Sequence, residues 1–330
     1  MNKENLSSTE YFLIVGFSDV PHLQIPLFVA FLMAYLLTLV GNLLILITVY
    51  LNSHLHTPMY FFLANLSFID IWYVSVFFRK LLANFFLEGI QVSLMECLLQ
   101  LFFFLVIVTV EFLLLTVMAY DRYVAICNPL RYTSIMNKAV CMWLTAGSWG
   151  VGLINAIPHI GLLSKLSFCN THIINHFFCD LTALLKMSCS DTFSNETCIY
   201  INGVVIVIMS FVFIIISYFK ITVSILKIQS KSGKEKAFST CASHLIVVIL
   251  FYVSLCSTYM RPTSTYSIKD NKIMSLSYAV ITPLCNPIVY SFKNAEFKNA
   301  LRKFHWFQIV AGHLSPSSKS TGLERHCLAE

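Results

Sequence analysis

Long stretches of this chain carry no charge, and polar residues punctuate the apolar ones rather than alternate with them. Between Asp19 and Asp70 there is no Asp, Glu, Lys or Arg, and the segment LNSHLHTP (51–58), ending in a helix-disfavouring proline, divides that stretch in two. Further uncharged runs occupy 97–110, 112–120, 139–164, 197–219, 237–260 and 273–292. A bilayer core takes about 20 apolar residues per helix. Joining the runs that flank Glu111 leaves seven spans, near 25–50, 58–80, 96–121, 140–163, 198–222, 237–260 and 273–292. Buried soluble helices fit poorly, because a soluble helix seldom exceeds about 20 residues without a polar face. The pattern predicts an all-α membrane protein, a seven-transmembrane helix bundle over 25–292.

Composition agrees with the pattern. Of 330 residues 57% are hydrophobic and 12% charged, where soluble domains carry roughly 25% charged residues. Such a chain cannot cover itself with polar groups, so lipid is its main solvent. The net charge of +6 reads as topology and not as nucleic-acid binding. With the N-terminus outside, inner segments hold 14 of the 22 basic residues: 3 around 121–140, 5 around 220–236 and 6 after 292. That bias fixes N-out, C-in. Residues 1–24 then form an extracellular N-terminus, with no secretory signal ahead of the first span. The polar end (306–330) is expected to be a disordered cytoplasmic tail after a short amphipathic juxtamembrane helix over 293–305. Asn5 stands in an outer-side sequon and is the candidate glycosylation site. Asn65 lies within the second span, and Asn195 close to the membrane.

A few polar residues sit where lipid would penalise them. Asp70 and Glu111 fall mid-span, so both should point into the bundle, paired, hydrated or protonated. Residues 104, 108, 111, 115, 118 and 122 share one helical face. From Phe104 to Arg122 that face covers roughly 27 Å, almost the hydrocarbon thickness. In the sixth span His244, Val248, Tyr252, Leu255 and Tyr259 share a face in the same way. In the seventh, Pro283 and Pro287 each remove a backbone hydrogen bond, Asn286 is placed to satisfy freed groups, and Tyr290 ends a hinge candidate. Asp121 and Arg122 follow directly on an apolar run, at the predicted cytoplasmic mouth. Cys97, Cys169, Cys179 and Cys189 fall on the oxidising side, and spacing alone leaves all three pairings open.

Taken together, GN (41–42), LHTPMYFFLANLSFIDI (55–71), MAYDRYVAIC (118–127), SY (217–218), KAFSTCASHL (236–245) and PLCNPIVYSFKN (283–294) resemble, in order and spacing, a rhodopsin-like G-protein-coupled receptor of the olfactory (odorant) type, tetrapod branch. The resemblance covers about 11–305. It implies a plasma-membrane receptor that is not an enzyme, binding small, mostly hydrophobic volatile molecules and activating a stimulatory G protein to raise cAMP. It also implies disulfides Cys97–Cys179 and Cys169–Cys189. By the same resemblance Asp121, Arg122, Tyr123, Tyr218, His244, Asn286, Pro287 and Tyr290 serve coupling and activation. Asp70, Glu111 and Asn286 form a mid-membrane polar cluster able to take a sodium ion or a proton. No other cofactor is implied.

Helical spacing places Phe104, Leu105, Val108, Asn202, Ile206, Tyr252, Leu255 and Tyr259 around an outer-half pocket for the odorant. Two positions depart from the family pattern: Arg79 stands where Pro is usual, and Asn128 where Lys is common. Cys169, His172, His176 and Cys179 have metal-like spacing, which leaves His176 as a copper or zinc candidate, although disulfides would consume the cysteines. A transporter would show repeated halves, and none is visible. The alternative within the same fold is a receptor for a non-volatile small molecule acting outside the olfactory epithelium.

Overall fold

The computed structural model describes residues 11–17, 21–87, 89–169, 172–259, 272, 274–293 and 297–298. Asn5 and the tail after 298 lie outside the described residues, as does most of the juxtamembrane segment.

Seven helical segments make the bundle: α1 (Gln24–Leu51), α2 (Pro58–Ala83), α3 (Leu94–Cys127), α4 (Lys138–Leu163), α5 (Phe193–Leu226), α6 (Lys231–Tyr259) and α7 (Thr282–Lys293), the last entered through a π-helical turn over Ser277–Ile281. Among the described residues, the first six are each long and apolar enough to cross a bilayer. Their outer faces are what hydrocarbon requires and water forbids: Ile25, Tyr50, Trp143, Ile154, Phe213 and Leu226 are all exposed. Several hydroxyls inside the spans donate to the carbonyl four residues back, as in Thr38 to Ala34, Thr116 to Phe112 and Ser217 to Phe213, each at 2.8 Å. No polar hydrogen of theirs is left facing lipid.

Local chemistry sets the helix ends. Thr57-Pro58 opens α2 with proline at its first turn, where its missing N–H costs nothing. Ser93 caps α3 through a reciprocal pair with Glu96, each bond 3.2 Å. Asn137 caps α4 by accepting from the Val140 N–H at 3.0 Å. α3 runs six residues past its predicted inner end, because nothing opposes helix until Asn128 precedes Pro129. Asp121 and Arg122 therefore sit within a helix rather than at its mouth. α5 and α6 likewise start five and six residues before the apolar runs do, at Phe193 and Lys231. Arg79 lies exposed in an unbroken α2.

Small residues set the closest approaches. A methyl group on Gly152 would come within 2.9 Å of the Val106 carbonyl oxygen, which brings α4 tight against α3. One on Gly41 would meet the Pro287 ring at 2.9 Å, which seats α7 on α1.

The outer face adds a feature that a purely helical reading does not contain. Strands β1 (Tyr11–Ile14), β2 (Ile90–Ser93) and β3 (Ile173–Ile174) form a small sheet in the order β2-β1-β3, antiparallel on one side of β1 and parallel on the other. Phe12 and Ile14 point inward and are fully buried. β1 continues past its end, with the Gly16 N–H donating to the His176 carbonyl at 3.1 Å while Gly16 adopts φ +58°. Two- and four-residue strands are too short to register as alternation beside spans of 20 residues or more.

Candidate functional site

The loop between α4 and α5 folds down onto the outer mouth of the bundle. Disulfide Cys97–Cys179 ties it to the start of α3, and Cys169–Cys189 closes it on itself. Asp180 caps a short loop helix (Leu181–Met187), accepting from the Thr182 and Ala183 N–H groups at 3.0 and 3.1 Å. Its other oxygen accepts from the Tyr259 hydroxyl of α6 at 3.0 Å, and Tyr259 is in turn 2.9 Å from the Tyr278 hydroxyl. Lys272 reaches the Gly16 carbonyl and, at 2.8 Å, the Asn175 side chain, with its ammonium 5.2 Å above the Phe17 ring. Residues His176 to Leu181 are all buried beneath this network. Burial pushes the His176 imidazole down to about 4, opposed by Asp180 and aided by Lys272.

Under that lid is a cavity of about 120 Å³. Phe104, Leu105, Val108, Asn202, Ile206, Leu255 and Tyr259 all line it, as the helical spacing anticipates. Tyr252 does not, and this is a correction. Its ring stacks edge-on against Phe112 at 4.9 Å, its hydroxyl lies 2.6 Å from Ser210, and Phe112 itself forms the floor of the cavity above it. Sequence reasoning misses the wall given by α4. Asn155 donates to the Thr109 hydroxyl at 3.0 Å, and His159 accepts from the Asn202 amide at 2.7 Å. The signal was present, since Asn155 and His159 are polar residues four apart in an otherwise apolar span.

At mid-membrane Asp70, Glu111 and Asn286 are buried, and the Asn286 amide donates to Asp70 at 2.9 Å. The second oxygen of Asp70, the Asn286 carbonyl oxygen and the Ser67 hydroxyl have no hydrogen-bond partner. Toward the inner end, Tyr218 of α5 lies 2.8 Å from His244 of α6, with the two rings stacked 16° from parallel. Asp121 accepts from the Tyr132 hydroxyl at 2.8 Å, while its other oxygen and Arg122 Nε are buried with no hydrogen-bond partner. Its hydrogen-bond partner is thus a tyrosine of the next loop and not the adjacent arginine. Tyr123 carries the Lys220 ammonium 5.3 Å over its ring, Pro287 packs on Gly41, and the Tyr290 hydroxyl is buried without a partner. Burial and the neighbouring Asp121 both raise the Tyr132 hydroxyl.

The metal-like spacing around His176 gathers no metal site. Cys169 and Cys179 belong to different disulfides, and among the described residues no cluster of three His, Cys, Asp or Glu side chains could hold a metal ion. Asn195 is buried at the start of α5, out of reach of a glycan.

Residues 31–306 match the family model described as olfactory receptor. The chain is 47% identical over 310 residues to olfactory receptor 1G1 of Gorilla gorilla gorilla, covering 94% of this chain and 99% of that one. It is 49% identical over 305 residues to olfactory receptor 9G4 of Homo sapiens, covering 92% and 93%. With olfactory receptor 8G17 of Mus musculus the identity is 44% over 303 residues, covering 92% and 99%.

Proposed function

The chain belongs to the olfactory receptor family, and from that premise we propose that it binds small volatile molecules in the cavity beneath the α4–α5 loop and passes the signal to a stimulatory G protein that raises cAMP. It is a multi-pass plasma-membrane protein. The observation that carries the ligand reading is the cavity itself, closed above by the lid and walled by Phe104, Leu105, Val108, Ile206 and Leu255.

Volume bounds the ligand. A cavity of 150 Å³ admits benzene, so about 120 Å³ takes no more than roughly six heavy atoms without side-chain movement. At no more than about 1.5 kcal/mol per atom, such a ligand gains at most about 9 kcal/mol, which places its Kd no tighter than roughly 0.2 µM. One methyl more or less changes binding by about 1–3 kcal/mol, so broad tuning follows. Asn155, His159 and Asn202 gather the hydrogen-bonding groups on one wall, which favours a ligand with one polar end.

At the inner end, Arg122 is the residue that meets the G protein once α6 moves, with Tyr218, His244 and Tyr290 rearranging around it. Asp70, Glu111 and Asn286 offer only oxygens to a hard cation, which fits sodium and not a soft metal; that ion or a proton would offset their burial.

A panel of C3–C5 alcohols and aldehydes and C3–C4 esters, read as cAMP in cells carrying the olfactory stimulatory G protein, tests the proposal. Agonist responses lost in Arg122→Ala at unchanged surface expression support it. Silence across the panel despite verified surface expression overturns it.

A further inference from the structure

Among the described residues, the outer mouth of this cavity is covered by the α4–α5 loop. There the loop segment His176–Leu181 is buried, is fixed by the Cys97–Cys179 disulfide, and is tied to α6 by Asp180 and Tyr259. Between α4 and α5 a groove of about 370 Å³ opens on the bundle's outer surface, lined by Pro158, Phe193, Thr197, Cys198 and Ile201. Phe193 and Ile201 are exposed along it, with Ile201 inside the apolar run of α5. Asn202 lines both groove and cavity.

That side chain has two partners. Its amide lies 2.7 Å from His159 Nε2 on the cavity side and 3.6 Å from the Cys198 thiol on the groove side. Releasing the histidine therefore does not strand the amide in lipid. Both flanks of the contact are also irregular. Pro158, next to His159, lies inside α4 and lacks an N–H. Asn202 is followed at once by a π-helical turn over Gly203–Ile208 in which no residue is buried. Kinks and π-bulges are where helices part or rotate at least cost.

We propose that small apolar ligands enter and leave the cavity sideways from the outer leaflet, between α4 and α5, through a gate formed by Asn202 and His159. The inference rests on the cavity being the ligand site. It also suits the ligand's chemistry, because a hydrophobic molecule is concentrated in the bilayer before it meets the receptor.

The gate can be tested without a known agonist. Cys256 is a free, partly buried thiol on the cavity wall, so benzyl methanethiosulfonate, an apolar probe with a six-carbon ring, reports entry when the Cys256 peptide is read by mass spectrometry. The reference is the full-length receptor with Cys198→Ala, in lipid nanodiscs. Cys198→Phe, or Ile201→Trp on the lipid-facing side in the Cys198→Ala background, fills the groove and is expected to slow Cys256 modification by about tenfold or more. The permanently charged trimethylammonioethyl reagent, confined to water, is expected to leave Cys256 unmodified in the reference receptor, a comparison that needs no groove variant to fold. Unchanged benzyl rates in both filled variants, or equal rates for the charged and apolar reagents, overturn the gate while leaving the cavity reading intact. A Cys256 inert to both reagents in every receptor overturns the cavity reading, and the gate with it.

Discussion

Acidification should loosen the outer lid, and His176 sets the size of the effect. The ring is buried among Phe177 and Phe178 at 4.5 Å from each, its Nδ1 faces the Phe178 N–H at 3.4 Å, and Nε2 has no hydrogen-bond partner. Burial holds its folded pKa at about 4, against about 6.5 for a free imidazole. The unfolded or detached loop therefore binds a proton more readily than the folded one. The associated stability is fully present above pH 6.5, falls as pH drops through 6.5, and levels off below pH 4. Linkage makes the loss about 2 kcal/mol at pH 5 and about 3 kcal/mol at pH 4. Asp180 and Lys272, the charged groups beside the ring, are already included in the folded value. Because the His176 carbonyl accepts from Gly16, the N-terminal strand should loosen along with the loop. Hydrogen exchange of the loop and strand peptides, corrected for intrinsic rates and followed from pH 7.5 to 4.5, measures this. His176→Asn, which retains an acceptor in place of Nδ1 and removes the titration, is expected to flatten the profile. A wild-type profile that is already flat, or one unchanged by the substitution, would refute the reasoning.

Three further outcomes are expected. Val108→Phe fills the cavity from α3 and should abolish responses to the larger agonists of a homologous series while smaller ones persist at reduced potency; dose–response curves at matched surface expression decide it. Asn286→Ala removes the hydrogen bond that Asn286 donates to Asp70 and should lower stability by about 1–3 kcal/mol, read as a fall in Tm of the purified receptor. Cys97→Ser frees the lid from α3 and should cost about 2–5 kcal/mol, read as lost surface expression and lower Tm.

What the residues disclosed in advance follows from how each signal is written. Apolar spans of 20 or more residues with few or no charges reflect a bilayer's thickness, and a face such as Phe104–Val108–Glu111–Arg122 reflects the helical repeat, so both are local. Seven cavity residues were legible on that basis. Tyr252 was misplaced because periodicity gives the side of a helix and not the depth at which a neighbour's ring, here Phe112, intervenes. The β1–β3 pairing joins residues about 160 apart and leaves no local trace. The partner of Asp121 also leaves no periodic trace: residues i and i+1 of a helix point about 100° apart, and Tyr132 returns from the next loop to make the bond.

The two ends of the bundle differ in how they are cross-linked, and the difference bears on the proposed signalling. At the outer end two disulfides, a three-stranded sheet and the Asp180–Tyr259–Tyr278 chain over-determine one arrangement. At the inner end one oxygen of Asp121, Arg122 Nε, His244 Nε2 and the Tyr290 hydroxyl are all buried without a hydrogen-bond partner. Each unmade bond of this kind costs about 1–3 kcal/mol, more for charged groups. An alternative packing that pairs even two of them recovers several kcal/mol, the scale of a gap between two populated states. A ligand worth at most about 9 kcal/mol in total need contribute only a fraction of that as differential affinity to tip such a balance. The same ligand could not remodel an end held by disulfides. Cross-links therefore hold the end where the proposed ligand sits, and the end without them is where the proposed coupling moves α6. Tyr218 and His244 join α5 to α6 across that boundary, so Tyr218→Phe, which keeps the ring stack and removes the 2.8 Å bond, should shift basal cAMP without shifting the odorant rank order. A changed rank order with basal activity intact would place the switch in the cavity instead.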